Sequence, residues 1–371
     1  MSVDERRDGP LADIRVIDAA TVIAGPGAAK YLADFGADVI KVERPEGDTT
    51  RTLGWVDERD GVSLWWKILG RGKRTVVLDL KTDDGLAAMR RLLADADVLV
   101  ENFRPDTLER LGLAHDDLLA VNPKLVILRV TGFGQEGPYA NRPGFATMAE
   151  AMSGFAALNG EPDGAPLLPP IALTDEVTAL VGAFAVMVAL HSGVGQVVDV
   201  NLLESLFQLM GALPSAYGVN GYEQPRLGSG IPYSVPRGTY RTKDGRWVAV
   251  STSAESVARR VLDLLGVGDD ERYATFAGRM AHRDEIEQRM TDWIAQRTQA
   301  DVMRAFEEAQ AAIAPVLDMA DIAADPHYAA RGTIETVDGT PMQGLVARLS
   351  KTPGRIRWTG RPLGADQDAL D

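Results

Sequence analysis

Two neighbouring acids, Asp175 and Glu176, open the stretch LPPIALTDEVTALVGAFAVMVAL (168–190), which is otherwise apolar. Asp175 follows Thr174 and fits the N-cap of a helix, where a side-chain oxygen accepts from a free N–H of the first turn. Glu176 then complements the positive end of the helix dipole. Taken alone, the pair reads as helix-end chemistry, with no reason to prefer either acid for catalysis. A second candidate lies near the N-terminus, where Gly25-Pro26-Gly27 resembles the start of a dinucleotide-binding G-x-G-x-x-G and Glu43 stands where a ribose-binding acid belongs. Lys30 occupies the third small position of that fingerprint, and Pro26 has no N–H to offer a pyrophosphate. A generic turn is the better reading there.

Other chemistries are excluded by residue type. The 371-residue chain has no cysteine, which removes disulfides, thiolate metal sites and a Cys nucleophile. Its four histidines, His115, His191, His282 and His327, form no H-x-x-x-H or H-E-x-x-H pattern. The net charge of −14 argues against nucleic acid or an anionic membrane as partner, while leaving room for a local basic pocket. The N-terminal stretch MSVDERRDGPLADIRVID lacks the apolar core of a signal peptide. Val177–Leu190 is too short an apolar run to span a bilayer and reads as a buried helix. A cytoplasmic protein is expected.

The elements that must position these residues alternate in type. Strand-like runs at 14–19, 37–43, 74–80, 96–102 and 124–132 are separated by helical segments such as 26–36, opened by Pro26 and stopped by Gly36, and 82–94. Such alternation predicts an α/β fold: a mainly parallel, doubly wound, Rossmann-like sheet with ligands at the carboxyl ends of its strands. A helix from 175 to about 190 follows, then a strand and a helix in GQVVDVNLLESLFQLM. Beyond residue 220 the texture becomes rich in Gly and Pro. A hairpin turning at Lys243-Asp244-Gly245 and helices near 254–265, 283–297 and 300–310 follow. The expected organisation is a large domain over 1–220, a small α/β domain over 221–320 and a return segment over 321–371 packing on the large domain. The acidic tail GADQDALD reads as frayed.

Several long motifs are similar to the class III coenzyme A transferases, the CaiB/BaiF family. They are LADFGADVIKVERPEGDTTR (32–51), GKRTVVLDLKTDDG (72–85), ADVLVENFRPDTLERLGL (96–113), GQVVDVNLLES (195–205), RTKDGRWVAV (241–250) and AAIAPVLDMADIAADPHYAARG (311–332). That family also takes in carnitine- and bile-acid-related transferases and α-methylacyl-CoA racemases. The resemblance covers nearly the whole chain. It implies an interlocked-ring homodimer, acyl-CoA and a carboxylic acid as substrates, and no tightly bound cofactor or metal. It also makes Asp175 the catalytic nucleophile, with the helix N-terminal field keeping its carboxylate ionised. Arg44, Leu78, Lys81, Asn102, Phe103 and Arg110 would line the adenosine and phosphate site, arginines pairing with phosphate bidentately. Backbone N–H groups near 22–26 or in RLGSG (226–230) are the candidates for stabilising oxyanions.

The chain departs from parts of the family pattern. Phe145 stands where the racemase branch has its His and cannot exchange a proton, and Ala254 falls at the second base with Glu255 one position off. Ala146 stands where many members carry an acid, Ile23 where the formyl-CoA type has a glutamine, and Thr21 and Phe145 replace the His and Tyr of that type, whose longer glycine-rich lid is reduced to RLGSG. These changes point away from formyl or oxalyl transfer and toward a less polar acyl group. The alternatives to transfer are a racemase-like enzyme, or a CoA-thioester-binding protein with weak or no catalysis.

Overall fold

The computed structural model describes residues 9–370. The first eight residues of the polar N-terminal stretch, and Asp371, lie outside it. In chain order the first part runs β1 (Arg15–Asp18), α1 (Ala24–Asp34), β2 (Asp38–Glu43), α2 (Leu64–Leu69), β3 (Arg74–Val77), α3 (Asp83–Ala94) and β4 (Val98–Glu101). It continues through α4 (Thr107–Arg110), α5 (His115–Val121), β5 (Val126–Thr131), α6 (Ala146–Met152), the short α7 (Phe155–Leu158), α8 (Leu173–Ser192), β6 (Gln196–Asn201) and α9 (Leu202–Phe207). All six strands are parallel, in the order β3-β2-β1-β4-β5-β6.

Both faces of the sheet are covered, so its strands are apolar almost throughout rather than alternating with polar residues. Successive residues feed opposite cores. Val16, Val39, Val98, Val100 and Leu128 pack with α1 and α8 on one face. Ile17, Ile40, Leu99 and Ile127 pack with Met89 and Leu92 of α3 on the other. α1 and α8 approach closely because small residues line their contact. A Cβ on Gly27 would lie 2.8 Å from the Ala179 Cβ, and one on Gly182 would lie 3.1 Å from Leu128 and 3.5 Å from Ala28.

The described residues form two compact units, one of 9–155, 168–211 and 326–370, the other of 156–167 and 212–325. The second unit holds α10 (Leu213–Asn220), the hairpin of β7 (Arg237–Arg241) and β8 (Trp247–Ser251), and β9 (Ile313–Pro315) beside β8. Its core sets Val248 and Val250 against Val261, Met290, Ile294, Val302 and Phe306.

Three local expectations are corrected. α1 begins at Ala24, not Pro26, because the Gly27 N–H already donates to the Ile23 carbonyl at 2.7 Å. Gly25, Pro26 and Gly27 are therefore helical residues, and no phosphate-cradling loop exists there. The tail is docked rather than frayed: Asp366 Oδ2 accepts from the Thr75 N–H at 2.9 Å, and the Gln367 amide exchanges two hydrogen bonds with the Val77 backbone. The apolar helix α8 spans 20 residues, Leu173–Ser192, and by length and composition is long enough to cross a membrane. Thr174, Thr178, Ala179, Gly182, Val186 and Ala189 are buried along it.

Candidate active site

The order of the sheet reverses between β1 and β4, and in open α/β sheets ligands bind in the crevice outside the carboxyl ends at such a switch point. The turn from β1 into α1 sits there and is clamped by side chains. The Thr21 N–H donates to Asn102 Oδ1 at 2.8 Å, and Asn102 Nδ2 donates to the Thr21 carbonyl at 2.7 Å. The buried Lys41 ammonium donates to the Ala20 carbonyl and pairs with Asp48 at 3.1 Å. Lys73, also buried, donates to Asp18 and to the Pro26 carbonyl, each at 2.7 Å. Within this clamp Val22 has φ +68°, a left-handed conformation that costs a β-branched residue energy and persists only when its surroundings dictate it.

The residues expected to line a nucleotide site are distributed along this edge. Arg44 follows β2, is exposed, and donates through Nε to the Gly47 carbonyl at 3.0 Å. Leu78 follows β3 and is buried against the α3-side core, whereas Lys81, three residues on, is exposed. Asn102 and Phe103 follow β4, and the Asn102 amide is engaged with Thr21 as described. Arg110 ends α4 and lines a cleft of about 340 Å³ together with Arg104, Asp106 and Arg142. Its guanidinium is oriented by the Asp106 carbonyl at 3.1 Å and the Thr107 hydroxyl at 3.0 Å. Arg104 and Arg142 were not singled out from sequence, although Arg104 stands inside the quoted ENFRPDTLER.

Asp175 has other surroundings, and its expected role as a cap is corrected. α8 starts at Leu173 with Ala172 in the capping position and no side-chain cap, so Asp175 lies within the first turn. The helix field expected to favour its ionised form is opposed by its surroundings. Burial, then repulsion from Glu150, then from Glu176, pushes the Asp175 carboxyl up to about 6 from its ordinary 3.8. Glu176 is not merely a dipole partner, since Tyr31 donates to it at 2.9 Å and Lys30 pairs with it at 3.6 Å. Glu150, on α6, is 4% exposed and accepts from the Thr174 hydroxyl at 3.0 Å. Sequence reasoning missed it; the available signal was a lone acid in the small and apolar run ATMAEAMSG.

Phe145, at the position of a racemase His, is exposed and occupies the N-cap of α6 without a side-chain hydrogen bond. Among the described residues no cluster of His, Asp and Glu could hold a metal ion.

The comparisons with known proteins bear on this arrangement as a whole. CoA-transferase family III matches residues 11–367. The alpha subunit of succinyl-CoA–L-malate CoA-transferase from Chloroflexus aurantiacus is 38% identical over 369 residues, covering 96% of this chain and 86% of that protein. Succinate–glutarate CoA-transferase from Agrobacterium fabrum is 38% identical, covering 97% of this chain and 94% of its own. A CAIB/BAIF family protein from Brucella suis superposes with a TM-score of 0.87 at 32% identity, over 98% of this chain and all of the other. Match of this extent, together with the parallel sheet and its switch-point crevice, means that the chain belongs to CoA-transferase family III.

Proposed function

We propose that the protein moves coenzyme A from an acyl-CoA thioester to a carboxylic acid, with Asp175 as the nucleophile. The observation that carries this reading is the Asp175 carboxylate itself. It is half-buried in the first turn of α8, and its charged neighbours are two other acids rather than a neutralising cation. A carboxylate so placed is basic and unencumbered, as a nucleophile must be. It attacks the thioester carbonyl, the C–S bond breaks, and a mixed anhydride and CoA thiolate form. The thiolate attacks the aspartyl carbonyl, the anhydride C–O bond breaks, and the donor acid leaves as its carboxylate. The acceptor carboxylate then attacks the aspartyl thioester and expels the thiolate, which takes the acceptor's acyl group and restores Asp175. No proton is gained or lost over the cycle.

Arg44, Leu78, Lys81, Phe103 and Arg110 contact the CoA in this reading, and Asn102 shapes its seat by holding Thr21. Support comes from their placement after β2, β3 and β4 and from the arginine-lined cleft, since guanidinium forks suit phosphates. Short dicarboxylates, rather than the less polar acyl group expected from the sequence, are the favoured donor and acceptor, because the relatives named above are named for malate, succinate and glutarate. Two copies of the chain pair in solution. The exposed apolar side chains Leu180, Phe184, Met187 and Val188 on α8 support a partner on that face.

The test is electrospray mass spectrometry of the protein mixed with acyl-CoA, with and without hydroxylamine, over pairs of donor thioesters and acceptor acids. A CoA-dependent adduct on Asp175 and transfer to the acceptor are expected, both lost in Asp175→Ala. Full transfer by that variant would falsify the assignment. Exchange of the α-proton without transfer would point instead to racemase chemistry.

A further inference from the structure

Glu150 has no part in the reaction just described, yet it is the most enclosed acid near the nucleophile. It projects from α6, is 4% exposed, and accepts one hydrogen bond, 3.0 Å from the Thr174 hydroxyl. Thr174 is itself buried and immediately precedes Asp175, while its carbonyl is held by the Thr178 hydroxyl at 2.7 Å. The hydroxyl therefore fixes the Glu150 carboxylate against the backbone that carries Asp175.

Cations on the elements packed around α8 are committed elsewhere. On α1, Lys30 and Tyr31 engage Glu176, and Asp34 is bound to Arg71. On β5, Arg129 is paired with Glu101 and Glu109. On the following elements, Asp199 of β6 accepts from the Gln135 N–H at 2.9 Å and is repelled by Glu204 of α9. Asp175 and Glu150 are thus left as two carboxyl groups without a cation between them, where simultaneous ionisation is unfavourable.

We propose that Glu150 is a positioning residue acting through Asp175: by its fixed negative charge it sets the pH at which Asp175 gives up its proton and becomes reactive. This rests on Asp175 being the nucleophile. The chemical consequence follows from the cycle. Asp175 is an anion between turnovers and neutral as anhydride or thioester, so a neighbouring anion raises the free carboxylate relative to the acylated states. The carboxylate is the more nucleophilic for it, and the cost is protonation at mildly acidic pH.

Glu150→Gln keeps the shape and the acceptor for Thr174 while removing the charge. The Asp175 carboxyl resonance, identified by its absence in Asp175→Asn, is followed by 13C NMR from pH 4 to 8, alongside the pH dependence of kcat/KM for CoA transfer. In Glu150→Gln the Asp175 midpoint and the acid limb of kcat/KM are expected to move down together by about 0.5–1 pH unit. At pH 5 that makes the variant about three- to fivefold faster than the parent. A midpoint that stays put overturns the proposal. A midpoint that falls in a protein showing no CoA transfer supports the Glu150–Asp175 coupling and rejects the transferase reading, so the two fail separately. Should Glu150→Gln not fold, Glu150→Met, uncharged and of similar length, is read the same way: an Asp175 midpoint that falls supports the proposal, and one that stays put overturns it.

Discussion

At the scale of single residues, the half-buried Asp175 carries a cost in stability. Its folded-state carboxyl titrates near 6, above the value of 3.8 expected when unfolded. The folded protein therefore holds this proton more tightly, and stability present below about pH 4 is lost as pH rises through 6. Asp175→Asn should be more stable than the parent at pH 8 by on the order of 1–2 kcal/mol, a difference that vanishes near pH 4. Urea unfolding at the two pH values checks this, and equal midpoints at pH 8 would count against a burdened carboxylate. Family-like motifs made Asp175 legible in sequence, but its environment was not. Spacing around Thr174 suggests a cap, and only the fold reveals that the helix begins at Leu173 and that Glu150 from α6 comes alongside. Asn102 could be singled out from sequence as a candidate, yet its bonds to Thr21 depend on β1 and β4 being neighbours.

At the scale of elements, periodicity and breakers located the strands and helices well, since fully buried strands leave continuous apolar runs. Boundaries shifted where backbone bonding overrode residue preference, as at the start of α1. What could not be read was why KYLADFG is preceded by so many small residues. The sequence AGPGAAK invites a ligand-binding explanation, whereas in the structure Gly27 serves the close contact of α1 with α8. Gly27→Val should cost about 1–3 kcal/mol, because its Cβ would meet Ala179 between two helices that cannot part cheaply. The expected result is a lower urea midpoint with an unchanged m-value. A loss under about 0.5 kcal/mol would show that the helices yield.

At the scale of the whole molecule, a parallel sheet was legible from the alternation of elements, but its strand order was not, because spacing does not say which side of β1 each new strand joins. The surface of α8 raises a further question of scale. Phe184 is 70% exposed in the single chain, and Leu180, Met187 and Val188 accompany it. Contiguous apolar surface of this kind marks an interaction site. Sedimentation equilibrium should find the protein at twice the mass of one chain, with Phe184→Glu shifting it toward the monomer or preventing soluble assembly. A parent protein that sediments as a monomer at micromolar concentration removes pairing from the proposal.

The docked tail has a bearing on how the molecule coexists with its neighbours. β3 is an outer strand of the parallel sheet, and outer strands offer unpaired N–H and C=O groups to any passing chain. Here the Thr75 N–H is taken by Asp366, and both backbone groups of Val77 are taken by Gln367. Asp366 and Gln367 thus do what an added strand from a stranger would do, and that flank of the sheet is closed to templated aggregation.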